Sequence, residues 1–254
     1  MAVSSRIAKE NGNDTGKGNG FGYQKKALAD GHYTMDVSGL AAANHGPGDV
    51  TTNQGTLADG TQLFTEARFG AISIDTIQGE AALHLVTDSS NGRLRVDDGF
   101  DAAHQVKLGN LGDLSFDYLV QSSDRTDVIP VLRITLDADG NLATTNDRVD
   151  LVFEWAYQGS SPVTQGSWQH ADLSGDNWKA WEHTYSPSQN IDFGPNFATL
   201  STWESAAGFT PTGGIHVDAN SIVLGWQIAD GSGNGTNSMF LDHLHVGGQA
   251  INFA

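Results

Sequence analysis

From about residue 62 onward, apolar and polar positions alternate with a period of two. That period marks strands with one face on a core and the other on solvent. It predicts strands over 62–69, 71–77, 81–87, 92–96, 113–121, 128–137, 148–157, 167–171, 222–229 and 238–246. Turn-forming strings separate nearly all of them: SSNG, LGNLGD, SSDRTD, DADGN and DGSGNG. Many short strands with polar turns and little helix argue for an all-β, two-sheet sandwich. One helix is predicted, where Ser201-Thr202-Trp203-Glu204 has the form of a capping box and the chain leaves the helix near Gly208. No repeat recurs at a fixed period.

Residues 1–30 read differently. They form a Gly/Asn/Lys segment without periodicity. Arg6, Lys9, Lys17, Lys25 and Lys26 are five of the chain's 13 basic residues, and only Glu10 and Asp14 oppose them. The rest of the chain sets eight basic residues against 28 acidic ones. A basic arm over 1–30 and one sandwich domain over 31–254 are therefore expected. The arm could dock on its own body, dock on a neighbouring copy, or stay a loose tail.

Composition narrows the function. A formal charge of −17 repels phosphate backbones and anionic membranes, which argues against nucleic acid and membrane-surface partners. No apolar run approaches the ~18 residues of a membrane span. Cysteine is absent, so disulfides, thiolate metal sites and cysteine nucleophiles are excluded. A disulfide-free protein outside the cell needs another staple, and calcium is the candidate. The first 14 residues lack the apolar centre of a signal peptide. The expectation is a mature form, export by a route without an N-terminal signal, or a cytoplasmic protein. The last four residues, Ile251 to Ala254, look somewhat like the apolar tails of type I secretion substrates.

Three groups of residues could carry chemistry. Asp137, Asp139, Asn141 and Asp147 surround the string LDADGN, where Gly140 permits a sharp turn between hard oxygen donors. Both flanks read as strands, so this is no helix–loop–helix calcium site, and a plain hydrated hairpin turn is the alternative. Asp242 lies in SMFLDHLHV, where Phe240, Asp242, Leu244 and Val246 fall on one strand face. An inward carboxylate needs a cation or several backbone donors. On the other face, His243 and His245 stand two apart without a visible third metal ligand, and chance adjacency is the better account. Trp178 and Trp181 sit in the polar string GDNWKAWEHTY, where an exposed ring could stack on a sugar and a buried one would pack. No nucleophile elbow, zinc-protease helix or phosphate loop occurs. With 30 acidic residues, a pair of carboxylates by itself points to no glycosidase.

The strings LSFDYLVQSSD, VIPVLRITLDADGN, DRVDLVFEW, GSWQHADLSGDNW, LSTWESAAG and LGWQIADGSGNGTNSMFLDHLHVGG follow one another over about 113–248. Taken in order, they resemble secreted bacterial β-sandwich domains of surface-sorted proteins. The chain departs from that pattern at Trp155, where the family has proline after the glutamate. The resemblance implies a jelly-roll or concanavalin-like sandwich, similar to carbohydrate-binding modules, and an extracellular or cell-surface address. It also implies Asp242 as a structural calcium ligand, and it supplies no enzymatic activity. The first expectation is thus a non-catalytic, calcium-stabilised structural protein assembling with itself as a surface layer, filament or matrix. A carbohydrate-binding module contacting polysaccharide through Trp178 and Trp181, or a polysaccharide-active enzyme, are the alternatives.

Overall fold

The computed structural model describes residues 42–44, 51–56, 62–89, 92–100, 105–159, 161–186, 189–192, 196–230 and 235–253. The basic arm over 1–30 lies outside them. In chain order the strands are β1 (Ala42–Asn44), β2 (Thr51–Thr56), β3 (Gln62–Arg68), β4 (Gly70–Ile77), β5 (Glu80–Thr87) and β6 (Arg93–Gly99). Then come β7 (Val106–Lys107), β8 (Ser115–Ser123), β9 (Val131–Asp137), β10 (Arg148–Phe153), β11 (Gln169–Asp172) and β12 (Lys179–Ser186). The last are β13 (Gln189–Asp192), β14 (Ala198–Thr199), β15 (Ile222–Asp230), β16 (Asn237–Val246) and β17 (Gln249–Ile251). Among the described residues the one α-helix is α1 (Leu200–Trp203). No described helix is long and apolar enough to cross a membrane.

The strands form two antiparallel sheets. The smaller has seven strands in the order β1-β4-β5-β16-β8-β11, with β17 on β16. The larger has ten, in the order β13-β12-β10-β9-β15-β6-β3-β2, with β14 on β12 and β7 on β15. This is the two-sheet sandwich expected from the alternation, of the jelly-roll or concanavalin-like kind that the resemblance implies. Leu132, Ile134 and Leu136 of β9, Val149, Leu151 and Phe153 of β10, and Trp226 and Ile228 of β15 supply one wall of the core. Leu83 and Leu85 of β5, Tyr118 and Val120 of β8, and Met239 and Leu241 of β16 supply the other. Each facing layer keeps its apolar residues at every second position, as two stacked sheets require.

Departures from the expected elements have local causes. β9 begins at Val131 because Pro130 has no N–H to give the ladder. β10 ends at Phe153, and Trp155–Tyr157 turn into a 3-10 helix. β12 was invisible to the alternation because its inward residues include Glu182 and Thr184 beside Ala180. The capping box does not form. Thr199 is the N-cap, without a side-chain cap bond, and Ser201 lies inside a helix of a single turn. The Ser201 hydroxyl donates to Asp176 instead. Burial of Leu200 and Trp203, rather than capping, holds this turn.

Ile134 is fully buried at the centre of β9. Replacing it with Ala is expected to cost about 2–5 kcal/mol in urea unfolding through lost burial and a residual cavity. A loss under about 0.5 kcal/mol would mean that the core does not run through β9.

Candidate functional site

Committing the apolar residues of the larger sheet inward sends a different set outward. Cα register lines up Asp97 of β6, Gln227 of β15, Arg133 of β9, Val152 of β10 and Trp181 of β12 in one transverse row. A parallel row, two residues along, holds Gly99, Gly225, Thr135, Asp150 and His183. Neighbouring strands stand about 4.8 Å apart, so each row spans roughly 19 Å of the sheet.

These outward groups are polar and yet withdrawn from solvent. Asp97 and Gln227 are each 1 % exposed, and Thr135 and Asp150 are fully buried. The Thr135 hydroxyl donates to Asp150 Oδ1 at 2.6 Å, and Arg133 Nη1 stands 3.8 Å from Asp150 Oδ2. Toward β3, Arg93 donates through Nε and Nη2 to Glu66 Oε1 at 3.0 and 2.7 Å. Neither the amide oxygen nor the amide nitrogen of Gln227 has a hydrogen-bond partner. A buried, unsatisfied amide costs about 1–3 kcal/mol, so its place in the middle of a charged row calls for a reason.

The two tryptophans expected at a sugar site part company. Trp178 faces inward with Ala180, belongs to the main core and lies 5.4 Å from the Trp155 ring. Its ring is turned into the core and away from the outward face of the sheet. Trp181 points outward at the end of the polar row and packs on Val131 and Val152, with Phe197 beside them. Its indole N–H donates to Glu154 Oε2 at 3.3 Å, and its ring meets His183 edge-on. It is 7 % exposed. Trp168, which the sequence did not mark, is only partly buried. It joins an apolar patch with Ala82, Leu119 and Phe240 on the opposite outward face, that of the smaller sheet.

The acidic residues of the LDADGN hairpin do come together. One carboxylate oxygen each from Asp137, Asp139 and Asp147 lies within 4.8 Å of the others. Asp139 N–H donates to Asp147 Oδ2 at 2.9 Å, and Asn141 N–H donates to Asp139 Oδ1 at 2.7 Å. Gly140 makes the turn with φ +70, the left-handed region that favours glycine. Burial, and then the Asp147 charge, push the Asp137 carboxyl up to about 6, against the pull of Arg148. Asn141 is exposed, and its Oδ1 accepts from Ala143 N–H at 3.3 Å.

Asp242 does not join this group. It is buried, but not on the core face. His243 has φ +49, and the β16–β8 register shifts between Asp242 and His245. The bulge breaks the alternation, so Leu244 and Val246 enter the core while Asp242 and Phe240 stay on the other side. Asp242 Oδ1 accepts from Phe253 N–H at 2.9 Å and so ties down the C-terminal residues. This corrects the shared face read from the sequence. His243 is not poised with His245 for a metal; its Nδ1 lies 3.0 Å from Asp117 Oδ2.

Glu182 is the one carboxyl of β12 that points into the sandwich, opposite Leu151. It accepts from Ile215 N–H at 2.8 Å through Oε1, while Oε2 has no hydrogen-bond partner. Burial pushes its pKa up to about 7, against the Ile215 bond that lowers it. A carboxyl raised above its unfolded value binds its proton more tightly in the folded state. Its contribution to stability is therefore complete below about 4.5 and declines as pH rises through about 7. Glu182→Gln keeps the acceptor and cannot ionise. Thermal midpoints from pH 5 to 8 are expected to fall less steeply for this variant, by up to about 3 kcal/mol in stability at the alkaline end. Parallel slopes for the two proteins would contradict a protonated Glu182.

No protein-family model matches the chain, and no curated protein does. Several solved structures are similar in fold. The family 30 carbohydrate-binding module of a Clostridium thermocellum cellulosomal cellulase has 14 % identity and a TM-score of 0.36, covering 85 % of this chain and 93 % of that one. A thermostable cellulase derived from one of Rhodothermus marinus has 13 % identity and a TM-score of 0.40, covering 76 % and 96 %. The family 11 xylanase from Neocallimastix patriciarum has 11 % identity and a TM-score of 0.40, covering 83 % and 100 %. Likenesses this distant say nothing of ligand or activity.

Proposed function

We propose that the chain is a non-catalytic polysaccharide-binding β-sandwich that reads its ligand across the outward face of the larger sheet. Gln227 carries this reading. A side chain with two donors and an acceptor, none of them used, sits between a guanidinium and a carboxylate in a straight row. A sugar chain supplies what such a row lacks: hydroxyls that both donate and accept, repeated along an extended polymer. Trp181 closes the row with an apolar ring beside Val152, suited to the C–H face of a sugar.

The reading is of binding rather than catalysis because the acid with a pKa raised to about 7 on this sheet, Glu182, faces the other way. A general acid must reach the bond it protonates. Depth has a kinetic consequence: Asp97, Gln227 and Trp181 are almost wholly withdrawn from solvent, so the face must open before a chain reaches them. Association is expected to be slower than the ~10⁵–10⁷ M⁻¹s⁻¹ of a preformed site. An extracellular address accompanies a polysaccharide ligand. The self-assembling role would rest on the arm over 1–30, outside the described residues.

Isothermal titration and affinity electrophoresis against a panel of neutral and uronate polysaccharides test the proposal. At least one is expected to bind, without any shortening of the polymer. Gln227→Ala and Trp181→Ala, each confirmed as folded by circular dichroism, are expected to weaken it 10-fold or more. Folded variants that bind as the parent does, or a parent that binds nothing in the panel, would refute the assignment.

A further inference from the structure

We infer that the β9–β10 hairpin is a calcium site built from Asp137, Asp139 and Asp147. A cluster of carboxylates on a surface turn says little, because solvated acids commonly gather there. Asp137 is different. It is fully buried, and neither carboxylate oxygen has a hydrogen-bond partner. Arg148 Nη2 approaches Oδ2 to 3.4 Å, an ion-pair distance without hydrogen-bond geometry, and Oδ1 has no hydrogen-bond partner. A buried carboxylate in that state is costly unless a cation completes it.

The neighbours favour a divalent cation. Three carboxylates against one guanidinium leave two negative charges at the hairpin. Their oxygens lie within 4.8 Å of one another, and opposite ligands around calcium stand about 4.6–5.2 Å apart, so their spacing suits a single ion. Every donor is a hard oxygen. Thr144 Oγ1 adds another, 3.4 Å from Asp147 Oδ1 and 3.5 Å from both oxygens of Asp139. Magnesium demands a nearly ideal octahedron at about 2.0–2.1 Å, which a ten-residue turn around Gly140 is poorly placed to impose.

Such an ion would act beyond its own loop. Asp137 ends the strand that carries Arg133 and Thr135. Ala138 accepts from the Ser221 hydroxyl at 2.8 Å, one residue before β15 begins. Calcium would thus join the hairpin, β9 and the start of β15 at one end of the polar face. The inference does not depend on the saccharide reading, and its test uses no saccharide.

The experiment is calorimetric titration of the full chain, stripped with a chelator, with calcium chloride and separately with magnesium chloride, and thermal melting in each. Calcium is expected to bind one site, with magnesium at least 10-fold weaker. At 100 times the dissociation constant, calcium should shift the unfolding equilibrium about 100-fold and raise the melting midpoint. Asp139→Asn and Asp147→Asn, at exposed and half-buried positions, are expected to fold and to lose binding 10-fold or more. Three results would overturn the site. One is no heat and an unmoved midpoint at millimolar calcium; another is folded variants that bind calcium as the parent does. The third is an Asp137→Asn protein that is more stable than the parent and still binds calcium equally well.

Discussion

Everything in this molecule follows from a constraint of parity. Leu132, Ile134 and Leu136 must all face the smaller sheet, because that is where the core lies. A strand offers its residues to opposite faces in turn, so Arg133, Thr135 and Asp137 have no choice but the other side. The same obligation acts on β10 through Leu151 and Phe153 and on β15 through Trp226 and Ile228. Antiparallel register then brings the rejected residues of five strands into rows. Neither the row of Asp97, Gln227 and Arg133 nor the acid at the end of β9 needs a separate explanation for where it is.

What does need explanation is depth. Polar residues on an outward sheet face ordinarily sit in water, where pairing is worth little. Here Asp150 accepts from Thr135 and faces Arg133 while fully buried, and Glu66 receives two bonds from Arg93 at 2 % exposure. Buried pairs of this kind stabilise less than an apolar layer of the same volume would. A chain that retains them gains something other than stability, and the proposed recognition of a hydroxyl-rich ligand would be such a gain. The opposite outward face has another character. There Phe240 stacks on His84 at 4.0 Å beside Leu119 and Trp168, and the charged groups nearby are carboxylate–imidazole pairs, Asp75 with His84 and Asp117 with His170.

The fold was legible because β5, β8 and β9 alternate cleanly, and the hairpin acids were legible because LDADGN brings donors two residues apart around a glycine. The polar face was not. Arg133 inside VLRITLD reads as an ordinary solvent-facing residue until register sets Gln227 and Asp97 beside it. Register across sequence-distant strands is not written in any one of them. Gln227 itself was a missed signal, an amide in the otherwise apolar run of β15. Trp178 and Trp181 looked alike from their polar surroundings, yet their separation by an odd number of residues sends one, just ahead of β12, into the core and the other, within β12, out. Asp242 misled because one left-handed residue, His243, reverses the parity beyond it.

The indole N–H resonances of the six tryptophans give the most direct reading of which face meets a ligand. Titration with a bound oligosaccharide, followed by nuclear magnetic resonance, should move the Trp181 signal, identified by its loss in Trp181→Phe, and leave the Trp168 signal in place. A moving Trp168 signal with Trp181 unchanged would set recognition on the smaller sheet and contradict the account.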